Sequence, residues 1–145
     1  APAATMIRLV LAGLFERHLG LKIITHHMGG MIPFHEERVA GALHRLGLQA
    51  AREQDGSGGP YMRRPPMETM RMFYADTAMH GAAEATRCGL AFFGENNTVF
   101  ATDCPFGSIR KGLDMINRLE LEQPAKQKIL HDNAKRLLRG TNSER

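Results

Sequence analysis

Apolar positions in residues 5–19 recur with a helical period, placing Met6, Leu9, Val10, Leu14 and Phe15 along one face, until Gly20 interrupts the pattern. Residues 21–25 are a β-rich run, Leu-Lys-Ile-Ile-Thr, that gives way to the loop signal His26-His27-Met28-Gly29-Gly30. Pro33 suits the first turn of the next helix, which needs no intrahelical N–H donor there. Phe34, Val39, Ala42, Leu43 and Leu46 are its packing residues, and Gly47 weakens its end. Asp55-Gly56-Ser57-Gly58-Gly59-Pro60 reads as a surface loop, and Arg63-Arg64-Pro65-Pro66 does not continue a helix. A short helix over 67–71 precedes a strand over 72–75 that ends at Asp76-Thr77. An Ala-rich helix over 81–93, a turn over 94–97 and a strand over 98–101 follow. The tail is helical over 108–119 and 124–138, where Asp132 either caps a last turn or sits on an exposed face.

Helices and strands thus alternate, which favours a parallel sheet covered by helices. Three strands do not fill an eight-stranded barrel. They make either a small independent α/β sheet or the last part of a larger barrel. In the second case the missing neighbours should leave apolar surface around residues 21–24 or 99–100.

At 145 residues and 43% hydrophobic content, the chain has the length of one domain and enough apolar residues for a core. It starts Ala1-Pro2 without an initiating Met, so a processed, trimmed or excerpted polypeptide is expected. Arg8, Glu16 and Arg17 interrupt the first apolar region, leaving neither a signal peptide nor a membrane span and favouring a soluble protein. Cys88 and Cys104 are too few for a disulfide scaffold and are compatible with a cytoplasmic location. The net charge is +4, and Arg63-Arg64, Arg110-Lys111 and Lys135-Arg136 lack the aromatic interleaving of a nucleic-acid platform. No nucleic-acid or membrane partner is expected.

The chemistry sits where strands give way to loops. His26 and His27 are adjacent, so in extended backbone their side chains point in opposite directions, and at most one enters a strand-end cleft. His27 serves either structural hydrogen bonding or catalysis and metal binding, since neutral imidazole suits both. Asp103, before Pro105-Phe106-Gly107, binds a divalent metal or accepts a proton from metal-bound water, or else caps the next helix. Asp76 secures the turn or lines the mouth of the site, with turn stabilisation favoured, and His80 is either a substrate contact from the same loop or, the favoured reading, an ordinary surface or capping histidine. Phe73 and Tyr74 divide between core and pocket wall. His18, His35, His44 and His131 are structural or solvent-facing, Cys88 is a packing residue, and Cys104 has no base partner that would make it a nucleophile. Met62, Met67, Met70 and Met72 pack irregular surfaces. Neither Gly29-Gly30 nor residues 56–59 fit a dinucleotide-binding or P-loop motif.

Residues 21–34, including His26-His27-Met28-Gly29-Gly30, together with Met72-Phe73-Tyr74-Ala75-Asp76-Thr77, Val99-Phe100-Ala101-Thr102-Asp103-Cys104-Pro105-Phe106-Gly107 and the ending around His131-Asp132-Asn133-Ala134, resemble the C-terminal part of the amidohydrolase-related metal-dependent family. The closest-looking branch includes aminocarboxymuconate-semialdehyde decarboxylase and aromatic-acid decarboxylases. The resemblance implies an α/β fold, a partial TIM barrel made of the C-terminal three βα units and terminal helices, with residues 1–145 as one such piece. It makes His27 the active-site histidine, orienting substrate or assisting proton transfer, and Asp103 a metal ligand and catalytic group; beside them His80 and Phe106 are the candidate substrate-binding residues. It implies a divalent metal, zinc, and a carboxy-lyase acting on a small unsaturated or aromatic carboxylate. Hydrolysis of a small lactone, amide or ester is the near alternative, and a noncatalytic ligand-binding or assembly module is the distant one. Two departures stand out: the N-terminal His-x-His or Glu-x-His motif and the mid-barrel histidine are absent, and Gly30 stands where some aromatic-acid decarboxylases carry Glu. A complete barrel takes about 250 residues. The metal site is therefore expected to be incomplete in these residues, with little activity unless the missing N-terminal part of the barrel, or a homo-oligomer, completes it.

Overall fold

The computed structural model describes residues 2–52 and 64–139. The loop expected over 55–60, Met62 and Arg63 lie outside the described residues. The elements are α1 (Pro2–Leu11), α2 (Leu14–Arg17), β1 (Ile24–Thr25), α3 (Glu36–Arg52), α4 (Pro66–Met70), β2 (Tyr74–Asp76), α5 (Ala83–Phe93), β3 (Thr98–Val99), α6 (Ile109–Arg118), α7 (Gln123–Gln127) and α8 (Asn133–Arg139). The strands form a three-stranded parallel sheet in the order β1-β2-β3, with Thr25 opposite Ala75 and Asp76 opposite Val99. Helices intervene between successive strands, as parallel connections require. The fold is a partial α/β assembly of TIM-barrel type.

The expected first helix is two helices, because Gly13 takes a left-handed φ of 65° and ends α1. Each strand is shorter than its apolar run. Residues 72 and 73 are spent closing the turn after α4, with Met72 N–H donating to the Thr69 carbonyl at 3.1 Å. Beyond Val99, Phe100 N–H turns to the Ile129 carbonyl at 2.9 Å and Ala101 N–H to the Thr77 hydroxyl at 3.0 Å. Pro33 does not open α3, which starts at Glu36; Ile32 is buried in place of Phe34, which is 76% exposed. The helix runs past Gly47 to Arg52.

One core joins α1, α2, the β1 loop, α3, α4, β2 and α5 through Met6, Val10, Phe15, Met28, Leu43, Met70 and Phe73, with Phe15 and Phe73 edge to face at 4.9 Å. A second unites α6 with the terminal helices through Met115, Ile116, Leu119 and Ile129. Residues 128–132 form a π-helical stretch that makes α7 and α8 continuous, and Asp132 pairs with His131 rather than capping a new turn. Asn133 is fully buried and donates from Nδ2 to the Glu95 and Thr98 carbonyls, both at 2.7 Å, fastening α8 to the start of β3. Val99 is buried, whereas Leu21 and Ile24 remain exposed, Ile24 beside a cavity of about 280 Å³ between α1 and β1. Uncovered apolar surface thus lies at the first of the two expected places.

Candidate active site at the strand ends

Parallel strands release their loops at one end of the sheet, and three such loops carry the chemistry here. After β1 the backbone turns left-handed: φ is 53° at His27, 51° at Met28, 72° at Gly29 and 64° at Gly30. Among the described residues, His27, Met28, His80 and Asp103 are the non-glycine positions with positive φ, and each lies in a loop that follows a strand. Such a conformation costs about 1–2 kcal/mol per non-glycine residue, so the surroundings must hold it. Met28 does so by burial, fitting against α5 where Gly89 leaves room; a Cβ there would lie 2.6 Å from the Met28 Cβ.

Asp76, at the end of β2 and nearly buried, holds the rest. Its Oδ1 accepts the His27 N–H at 2.7 Å and the Ala78 N–H at 3.1 Å, while its Oδ2 takes the His26 Nδ1 at 2.9 Å. His27 Nδ1 lies 2.8 Å from the Ala78 carbonyl oxygen. A carbonyl only accepts, so Nδ1 carries the hydrogen and the Nε2 of the neutral ring keeps its lone pair. The turn-stabilising reading of Asp76 agrees with these bonds. The opposite orientation expected for His26 and His27 does not hold. Left-handed backbone at His27 ends the strand alternation, and the two ring centroids are 5.9 Å apart. His26 is an unexpected neighbour of the site; its partner, Asp76, ends the adjacent strand, and an acidic residue closing the next strand run was the signal for it.

Thr77 joins the second loop to the third. Its hydroxyl donates to the Ala101 carbonyl at 3.1 Å and accepts the Ala101 N–H at 3.0 Å. Beyond that clamp His80 Nε2 faces Asp103 Oδ2 at 3.5 Å, both side chains about half exposed. This is longer than an ordinary hydrogen bond and makes an ion pair when His80 is protonated. Gly107 N–H donates to the Asp103 carbonyl at 2.8 Å, and a Cβ on Gly107 would lie 1.7 Å from the Thr102 carbonyl oxygen, so only glycine closes this turn. Ser108 caps α6 by accepting Lys111 N–H at 3.3 Å, which removes the helix cap as a use for Asp103. Cys104 and Phe106 are exposed, the latter by 83%. Phe73 is buried and Tyr74 half-buried.

The structure therefore draws the His27 loop to Asp76 and Ala78, and His80 to Asp103, around one sheet end. Asp103 and His80 offer two donors, whereas a protein-bound divalent cation such as zinc takes about four. No group of three or more His, Cys, Asp or Glu side chains among the described residues is placed to hold a metal ion. The described residues alone do not fit such an ion. No helix among them is long and apolar enough to cross a membrane.

Known proteins resemble this chain in sequence and fold. Gamma-resorcylate decarboxylase of Rhodococcus jostii is 26% identical over 137 residues, covering 94% of this chain and 40% of the relative. The 5-carboxyvanillate decarboxylase LigW of Sphingomonas paucimobilis superposes with a TM-score of 0.73 at 28% identity, over 94% of this chain and 39% of that one. A dihydroxybenzoic acid decarboxylase of Polaromonas sp. JS666 matches in fold with a TM-score of 0.74 at 24% identity, over 98% of this chain and 41% of its own. The chain thus spans about 40% of the length of the curated relatives it matches. These relatives are aromatic-acid decarboxylases, which does not single out the aminocarboxymuconate-semialdehyde branch. The Polaromonas structure contains bound manganese with the inhibitor 2-nitroresorcinol, which overturns the expectation of zinc. A model of the amidohydrolase family matches residues 1–140, and the chain belongs to that family.

Proposed function

We propose that the protein is a divalent-metal-dependent decarboxylase of a small aromatic carboxylate, of the resorcylate or vanillate type named for its relatives. In this reading residues 1–145 are the C-terminal three βα units of a barrel whose other strands pair along the open edge of β1. Asp103 supplies one carboxylate ligand to the cation, manganese as in the Polaromonas relative, and the remaining ligands come from outside the described residues. The observation that carries the reading is the fixed presentation of His27. Its Nδ1 is committed to the Ala78 carbonyl, so Nε2 alone exchanges a proton with a substrate.

Decarboxylation of an aromatic acid needs that proton. A C–H bond forms at the ring carbon bearing the carboxylate, the C–C bond breaks, its electron pair returns to the ring, and carbon dioxide leaves. His27, protonated on both ring nitrogens, donates the incoming proton from Nε2 and is left as the neutral Nδ1–H ring. His80, beside Asp103, takes the anionic side of the substrate when protonated, and the exposed ring of Phe106 offers an apolar wall.

The test is turnover of 2,6-dihydroxybenzoate by the full-length protein in manganese, read as carbon dioxide and the decarboxylated arene. His27→Asn and Asp103→Asn are each expected to lower kcat by at least about 10²-fold with the fold intact by circular dichroism. Equal turnover in both variants overturns the roles. Incorporation of solvent oxygen into a cleaved ester or lactone assigns hydrolysis instead, and stoichiometric binding without turnover assigns a binding module.

A further inference from the structure

Two attachments fix His27: its own backbone N–H, and its ring Nδ1 through the Ala78 carbonyl. Both lead to one atom. Asp76 Oδ1 accepts the His27 N–H at 2.7 Å and also the Ala78 N–H at 3.1 Å, so the residue whose carbonyl holds the ring is held by the oxygen that holds its backbone. The Asp76 carboxylate is 8% exposed, and its other oxygen is occupied by His26 Nδ1. A short closed circuit runs from His27 backbone to Asp76, to Ala78, and back to the His27 ring.

We infer that Asp76 is the positioning residue of His27, setting its tautomer and the direction of Nε2 from beneath the site. The left-handed backbone at His27 would otherwise relax, since φ of 53° is unfavourable for a residue with a Cβ. A carboxylate suits this task because bonds to a charged acceptor are shorter and about twice as strong as neutral ones. The next residue, Thr77, adds the third strand, since its hydroxyl both donates to and accepts from Ala101, two residues before Asp103. The pair Asp76-Thr77 thereby registers the His27 loop against the Asp103 loop through the middle strand. Asp76 is assigned no contact with substrate. His26 is a client of the same carboxylate, and 76% exposure leaves it unable to impose order on its neighbour.

The inference rests on the reading of His27 as proton donor, yet it is tested on the ring itself. In the isotope-labelled chain, nuclear magnetic resonance at alkaline pH is expected to show scalar couplings across hydrogen bonds from the His27 and Ala78 amide nitrogens to the Asp76 carboxyl carbon. His27 is expected as a single tautomer with its hydrogen on Nδ1. Asp76→Ala should populate both tautomers, Asp76→Asn should restore Nδ1–H because an oxygen remains at Oδ1, and His26→Ala should change nothing at His27. Absence of both couplings in the wild-type chain overturns the inference, whether or not Asp76→Ala folds. So does a folded Asp76→Ala with the tautomer unchanged, or a tautomer change in His26→Ala. In the full-length enzyme Asp76→Ala is expected to lower kcat on the order of 10²-fold, the cost of a reacting group misplaced by about 1 Å, with KM unchanged and Asp76→Asn recovering most of it. Couplings and tautomer as expected in a protein without decarboxylase activity would sink the proposed function and leave the positioning role standing.

Discussion

Asn133→Asp changes two atoms' worth of chemistry at constant shape. Asn133 is fully buried, its Nδ2 donates to two carbonyls at 2.7 Å, and its Oδ1 has no partner, so all its polar stabilisation comes from the amide hydrogens. A protonated carboxyl in that place has one O–H for two carbonyls, and the loss of one bond costs about 1 kcal/mol. An ionised carboxylate there faces two carbonyl oxygens with no donor. Burial without a partner raises a carboxyl pKa by about 3, and each pKa unit is worth about 1.4 kcal/mol. The native state then keeps the proton over a range where the unfolded chain has released it, so stability falls as pH rises. The deficit against wild type should grow from about 1 kcal/mol below the ordinary carboxylate range to about 5 kcal/mol at neutral pH. That is a large part of the 5–15 kcal/mol typical of a domain. Urea unfolding of both proteins, followed by circular dichroism at several pH values, measures the difference directly. A deficit that stays flat with pH would show that Asn133 is solvated, or bonded otherwise, and refute the reasoning.

Gly89→Ala places a Cβ 2.6 Å from both Cβ and Cγ of Met28; overpacking of about 1–3 kcal/mol outweighs the gain of about 1 kcal/mol in helix propensity, and a lower urea midpoint is the expected sign. Thr77→Val removes both bonds to Ala101 and strands the two backbone groups, an expected loss of about 2–3 kcal/mol that Thr77→Ser should largely avoid in the same denaturation series. The Asp132 carboxyl is held below its ordinary value by the hydrogen bond from His131, with help from Gln127 and Lys135. Its stabilising effect is present above the ordinary carboxylate range and fades as pH falls through the depressed pKa, and carbon-detected titration of the side chain should move toward the ordinary midpoint in His131→Ala.

Much of the architecture was legible in the chain because alternation of helical and strand periodicity leaves few topologies. The three apolar runs at 21–25, 72–75 and 98–101 each contain or adjoin a strand. Their excess length reflects competition for backbone groups: Phe100 and Ala101 find partners in α7–α8 and Thr77, which no local pattern announces. Phe34 misled for a similar reason, since a turn before α3 buries Ile32 and turns Phe34 outward. At the site, strand-end placement picked out His27, His80 and Asp103, and the structure brings the last two to 3.5 Å. His26 was misplaced because alternation holds only while the backbone stays extended, and the left-handed turn at His27 is imposed from Asp76, far along the chain.

The sequential strand order also sets a timetable for assembly. The bond that links the β2 end to the β3 end spans 24 residues, and the bond that links the β1 loop to β2 spans 50. Closing the longer loop costs about 0.6 kcal/mol more in chain entropy, and it must also be repaid against the strain of the left-handed turn. The shorter closure favours β2–α5–β3 as the first unit to condense, with β1 docking afterwards, and hydrogen exchange pulsed during refolding is expected to protect the Ala101 amide before the His27 amide. On that order the left-handed turn at His27 forms only when the β1 loop meets Asp76, so the geometry of this loop depends on a middle strand already in place.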